Sequence, residues 1–106
     1  MATIEEFRLL QFKVGRVVEA KPHPNADRLL VVTVDVGGVQ KEVVAGIARH
    51  YAPADLINKL VVVVDNLDPM NLRGVQSNGM LLAAQDGETL ALVSPERPVA
   101  PGSVVK

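Results

Sequence analysis

The chain has 106 residues, 48% of them hydrophobic, with eleven Lys and Arg against twelve Asp and Glu, which sets the expectation of a single domain spanning residues 1–106 around one core. It has no cysteine, which excludes a disulfide framework and thiolate metal sites and suits a reducing compartment. The net charge of −1 gives no bulk pull toward polyanions, so a nucleic-acid role requires basic residues gathered on one face.

No apolar run approaches the length of a membrane span, and Met1 to Glu6 lacks the regions of a secretion signal. A cytoplasmic chain with no membrane partner is expected. Phe7, Phe12 and Tyr51 are the only aromatics, too few for a platform that stacks successive bases.

Valine dominates the apolar residues and favours strands. Thr3-Ile4-Glu5-Glu6 has the spacing of a capping box, and the short helix it starts carries Ile4, Phe7 and Leu10 roughly on one face. Lys13 to Ala20 reads as a first strand; its alternation breaks at Val17-Val18, and Gly15 just before is a candidate bulge or bend that curves a barrel strand. Two prolines make Lys21 to Asp27 a connection. Leu29 to Val36 alternates cleanly, with Leu30, Val32, Val34 and Val36 on one face, and Gly37-Gly38 turns it into Gln40 to Ala45. Pro53 to Ile57 predicts a short helix with proline near its first position.

Leu60 to Val64 is apolar throughout and belongs in the centre of a sheet. The stretch Leu72 to Met80 joins it to the next apolar run, with two glycines and a lining of Arg73, Gln76, Ser77 and Asn78. Such a polar connection between buried strands is where a small scaffold displays function. Met80 to Ala84, a Gln85-Asp86-Gly87 turn and Thr89 to Val93 follow, then a proline-punctuated, extended tail from Pro95 to Lys106. Five or six short strands with a helix between the third and fourth predict an all-β fold, the five-stranded OB-fold barrel, with an added N-terminal helix and C-terminal tail.

Catalytic patterns are weak. His23 and His50 have no metal-ligand spacing to each other or to paired carboxylates, and His23, between two prolines, reads as a solvated loop or contact residue. No nucleophile elbow, phosphate-cradling loop or dinucleotide fingerprint is present, and nothing supplies a base for Ser77. No catalytic residue, metal or cofactor is expected. Asn25 and Asp27 can simply shape their own turn, as Ser77 and Asn78 can shape theirs, and Met80 can be core.

Four segments together carry more. Val14 to Ala20, His23-Pro24-Asn25-Ala26-Asp27-Arg28-Leu29, Val44-Ala45-Gly46-Ile47 and Ser77-Asn78-Gly79-Met80 resemble, in the same order, the tRNA-binding domain appended to bacterial methionyl-tRNA synthetases and found in related free-standing tRNA-binding proteins. The resemblance runs from about Thr3 to Val105. It implies an OB-fold that binds tRNA by shape without reading sequence, commonly as a homodimer, alongside a methionyl-tRNA synthetase catalytic body.

Carried over by position, the resemblance implies Asn25, Arg28, Ser77 and Met80 as binding residues, and Asn78, within the same polar stretch, is a further candidate. Charge and strand position add Lys13, Arg16, Lys41 and Arg73. Arg28 stands where the family often has lysine, keeping the charge and adding a fork for phosphate. Asp65, Asp68 and Glu42 near that face lower the expected affinity. Ile4, Phe7, Leu10, Val99, Val104 and Val105 supply apolar surface for a dimer interface. The competing reading is a chaperone-like protein-interaction dimer of the same superfamily.

Overall fold

The computed structural model describes all 106 residues. In chain order the elements are α1 (Ile4–Phe7), β1 (Phe12–Pro22), β2 (Leu30–Asp35), β3 (Gln40–Ala45), α2 (Pro53–Leu56), β4 (Leu60–Val64), β5 (Met70–Leu72), β6 (Val75–Ser77), β7 (Met80–Leu81), β8 (Ala83–Asp86), β9 (Thr89–Leu92) and β10 (Val104–Val105). The main sheet runs β3-β2-β1-β4-β7, and every pair in it is antiparallel. It curls into a nearly closed five-stranded barrel with α2 between the third and fourth strands, as the element order predicts. β5–β6 and β8–β9 are separate two-stranded hairpins.

The core is built from the inward positions of alternating valines. Val17, Val32, Val34, Val43, Val61 and Val63 are all essentially inaccessible, and Leu56 of α2 is inserted among them. Burying a side chain of that size fully stabilises the fold by about 2 kcal/mol. α2 is a single turn with Pro53 at its start and no side-chain cap. Its place is fixed by Leu56 and by the following Asn58, whose N–H bonds Val17 O at 2.8 Å. Asn58 takes a left-handed φ of 70°, a conformation asparagine tolerates better than most residues.

Gly15 is not the bulge. The register of β1 against β2 shifts between Val17 and Glu19, at Val18, where the alternation itself breaks. Gly15 instead lets β1 pass close to its neighbours: a Cβ there would sit 3.1 Å from Val63 and 3.3 Å from Val36.

The barrel has one seam without a ladder. β3 is not strand-paired with the polypeptide that closes against it; two contacts bridge the gap. Val44 N–H donates to Ser77 Oγ at 2.9 Å, and Asn78 N–H donates to Glu42 O at 2.9 Å.

The capping box of α1 forms in both directions, Glu6 N–H to Thr3 Oγ1 and Thr3 N–H to Glu6 Oε1. No residue of this helix is buried. Leu10 lies beyond its end, and Ile4, Phe7 and Leu10 stay 54%, 46% and 41% exposed. Phe7 stacks on Phe12 with ring centroids 5.5 Å apart, and Asn66 clamps the chain after the helix by bonding Leu9 O and Gln11 N. The tail returns along β1 through Phe12↔Val105 and Lys13↔Val104. A hollow of about 220 Å³ between helix and tail is lined by Phe7, Leu10, Val104 and Val105; Val99 is exposed outside it. No helix is long and apolar enough to cross a membrane.

Candidate nucleic-acid interface

The Leu72–Met80 stretch is more structured than a simple connection. Met70↔Ser77, Asn71↔Gln76 and Leu72↔Val75 pair as a hairpin, turned by Arg73 at φ 55° and Gly74 at φ 95°. Two successive left-handed residues make the tight turn that matches strand twist, and Asn71 Oδ1 accepts from Gly74 N–H at 3.0 Å. Glycine suits the second position. Arginine at the first carries a modest backbone cost, and its exposed side chain is displayed at the tip.

A second loop is latched to this tip. His23 is only 6% exposed, so of the two expectations, a solvated loop residue or a contact residue, the first is excluded. Its Nδ1 accepts from Asn25 N–H at 2.9 Å. That bond leaves the proton on Nε2, which donates to Leu72 O at 2.8 Å. Asn25 Nδ2 donates to Arg73 O at 3.3 Å, and Arg73 Nη2 donates back to Asn25 O at 3.2 Å. Pro22 and Pro24 stiffen the imidazole's backbone. The sequence missed this latch, and the Pro-His-Pro spacing was its available signal.

Arg28 follows on the same loop, exposed, with no hydrogen bond or ion pair to its side chain. Its backbone is held by Ala48 N–H donating to Arg28 O at 3.2 Å. Asn25 and Arg73 therefore form one clasped, water-facing pair, and Arg28 faces water three residues further along the same loop.

Lys13 and Lys41 are placed differently. Lys13 is the register partner of Val63, and Lys41 of Val34, so both share the face of core valines. They converge on Asp65: Lys13 Nζ is 3.0 Å from Oδ2, and Lys41 Nζ is 2.7 Å from Oδ1, an atom with no other partner. Lys41 also donates to Asp65 O at 2.8 Å. Burial pushes the Asp65 carboxyl up, but the hydrogen bonds and charges of Lys41 and Lys13 outweigh it and hold the carboxyl below its ordinary value. Arg16 faces outward, 3.9 Å from Asp35 and donating to Asn58 Oδ1 at 3.0 Å.

Ser77 is buried and fully engaged: it accepts from Val44 and donates to Gly79 O at 3.0 Å. Asn78 Oδ1 accepts from Gln76 Nε2 at 3.2 Å. Met80 is 48% exposed, which decides between core and cleft. It lines a cleft of about 620 Å³ between the end of β3 and the closing strand, along with Leu67, Asp68, Met70 and Leu90. Leu67, Met70 and Leu90 were not picked out from sequence, and Asp68 only as an acidic charge near that face; Leu67 and Met70 flanking Asp68-Pro69 were the available cue.

Residues 12–104 match the model of the family described as "Putative tRNA binding domain". The chain belongs to this family. It is 49% identical over 104 residues to the methionine–tRNA ligase of Pyrococcus furiosus, covering 98% of this chain and 14% of that protein. The chain thus spans about a seventh of the length of that relative. Among solved structures, the MetRS-related protein from Pyrococcus horikoshii superposes with a TM-score of 0.92 at 32% identity, covering 100% of this chain and 98% of that one. The chaperone CsaA from Bacillus anthracis superposes with a TM-score of 0.90 at 27% identity, covering 100% and 99%.

Proposed function

We propose that this chain is a non-catalytic tRNA-binding module that grips folded tRNA by shape and serves a methionyl-tRNA synthetase catalytic body in the cytoplasm. Family membership and identity to methionine–tRNA ligases support it. The observation that carries it is the latched pair of loops: His23 fixes both backbones while Arg28 and Arg73 face water. The Arg73 guanidinium, held by Asn25 O, and the unpaired Arg28 guanidinium suit phosphate, and Asn25 suits phosphate or a 2′-hydroxyl. With three aromatics in the chain and no stacking row among them, shape is the reading the surface supports. Ser77, Asn78 and Met80 contribute by shaping the cleft beside this group. Lys13, Lys41 and Arg16 add to the field at longer range, already paired with carboxylates.

The proposed working unit is a homodimer. Ile4, Phe7, Leu10 and Val104 leave an apolar surface that the barrel does not cover, with Val105 in the adjoining hollow and Val99 on the nearby tail. Two sites related by a dyad would span more of a tRNA than one. Light scattering of the parent should give twice 11.3 kDa. Phe7→Glu with Val104→Glu should give a folded monomer that binds tRNA more weakly; equal binding would detach the dyad from function.

A gel shift with total tRNA, across a salt series, tests the binding itself. About three phosphate contacts predict a log–log salt slope of roughly −2 to −3. Salt-independent binding, or strong preference for one anticodon, would refute the reading. The CsaA likeness keeps a chaperone reading open to the same comparison: suppression of client aggregation without a tRNA shift would favour it.

A further inference from the structure

We propose that the apolar cleft beside the latched loops takes one unstacked nucleobase of the bound RNA, and that Asp68 makes guanine the preferred base. The inference rests on the tRNA-binding reading and adds a base-reading contact to it.

The cleft is of the size that encloses small ligands, about 300–1,000 Å³, and Asp68 is the only ionisable residue lining it. Met70 and Met80 stand at 60% and 48% exposure on its walls. A negative charge among leucines and methionines rejects phosphate. It accepts a flat, apolar-faced group that brings N–H donors, as a base edge does.

The rim supplies the other half of a nucleotide site. Leu72 lines the cleft, and its carbonyl holds His23; the next residue is Arg73, clasped to Asn25. Gly46 also lines it, and Leu29, next to Arg28, packs 3.9 Å from where a Gly46 Cβ would lie. A phosphate held by Arg28 or Arg73 therefore leaves its own base beside the opening. Unstacked bases are the part of RNA that proteins read most directly, and apolar side chains without aromatic rings also contact base faces.

Asp68 sets the preference. Its side chain has no hydrogen bond or ion pair, and Ser77, the other polar side chain in the lining, is already engaged. A carboxylate can accept two parallel N–H bonds. Guanine offers adjacent N1–H and N2–H donors on one edge. Adenine and cytosine offer a single amino group there, and uracil a lone N3–H between two carbonyls.

Methionine methyl signals report on this directly. The chain has three methionines, two on the cleft walls and Met1 at the terminus as an internal control. With ¹³C-methyl methionine, the oligomer UUGUU should shift the Met70 and Met80 signals upfield by the ring current of the inserted base and leave Met1 unmoved. UUGUU should bind at least about fivefold more tightly than UUAUU, UUCUU or all-U, the lower end of one bidentate base contact. Asp68→Asn should erase that advantage without weakening the all-U oligomer. Ala83→Trp, which fills the cleft from an exposed position on β8, should abolish the methyl shifts.

A parent that shifts total tRNA in a gel while both cleft methyl signals stay in place overturns the base site alone. A parent that shifts no tRNA overturns the binding reading, and the base site with it. Equal response to all four oligomers, or a guanine advantage that survives Asp68→Asn, overturns the role of Asp68. An extended apolar peptide that moves the same signals and is not displaced by UUGUU identifies a protein-binding cleft and overturns the proposal.

Discussion

Two pairs of basic side chains occur in this molecule, and they do opposite things. Lys13 and Lys41 lie on strands, on the face of the core valines, and close on Asp65. Arg28 and Arg73 lie on loops, exposed, with the backbone at Arg73 held through the His23 latch and that of Arg28 by Ala48. The charges are the same, but their surroundings set whether they hold the fold or remain available to a ligand. For a chain of net charge −1, counting basic residues says little; finding which of them lack a carboxylate says much more.

The largest expected effect separates the pairs by stability. Asp65 is 11% exposed at its side chain, and Asp65→Ala leaves two ammonium groups facing each other. The loss should be about 3 kcal/mol by chemical denaturation, with far less effect on the intrinsic RNA contact. A loss below about 1 kcal/mol would mean the triad is solvated and the contrast false. The pH dependence has a definite sign. The folded carboxyl titrates below its unfolded value, so its stabilisation is present above the ordinary carboxylate range and disappears as pH falls through the lowered value. Acid unfolding curves of the parent and Asp65→Asn should converge there.

Next comes the latch. His23→Ala strands Leu72 O and Asn25 N–H and should cost about 2 kcal/mol. It should also weaken tRNA binding, because Asn25 and Arg73 lose their common reference. Full retention of binding in a folded variant would show that the loops hold their geometry alone. Arg28→Ala and Arg73→Ala should each cost about 1 kcal/mol in tRNA affinity and reduce the salt slope by about one, with melting nearly unchanged. If Lys13→Ala weakens tRNA binding as much as Arg28→Ala at equal foldedness, the paired lysines are ligands after all. The smallest effect belongs to Met80→Ala: half-exposed, it should cost less than about 1 kcal/mol of stability and act on binding alone.

The barrel was legible because its evidence is periodic. Alternating valines, the Gly37-Gly38 turn and the Pro53 helix start are local signals, and the fold kept all three. The break in alternation at Val17-Val18 marks the true register shift, whereas Gly15, read as a bulge or bend, is a close approach; only the partner strand tells these apart. The site was less legible for the same reason. The pairing of Lys13 and Lys41 depends on Asp65, which lies more than twenty positions from either. Solvated and contact roles for His23 stay open in sequence because its neighbours are loop residues, while its acceptor, Leu72 O, lies 49 residues along the chain. Long-range partners leave no periodic trace.

The unladdered seam between β3 and the closing strand has a consequence for motion. β1 and β4 are held by five register pairs, whereas β3 is tied to the closing segment by the Ser77 hydroxyl and one backbone bond from Asn78 to Glu42, and to the end of β4 through Lys41 and Asp65. Local opening takes the route with the fewest bonds to break, so the amide protons of Val44 and Asn78 should exchange with solvent ahead of those in the β1–β4 ladder. Val44 and Ser77 also line the apolar cleft, so the barrel's weakest line of closure is a wall of that cleft. Anything seated there that braces the two sides should slow exchange at those two amides while leaving the distant ladder unchanged, and a Ser77→Ala chain should open faster without any change in its core.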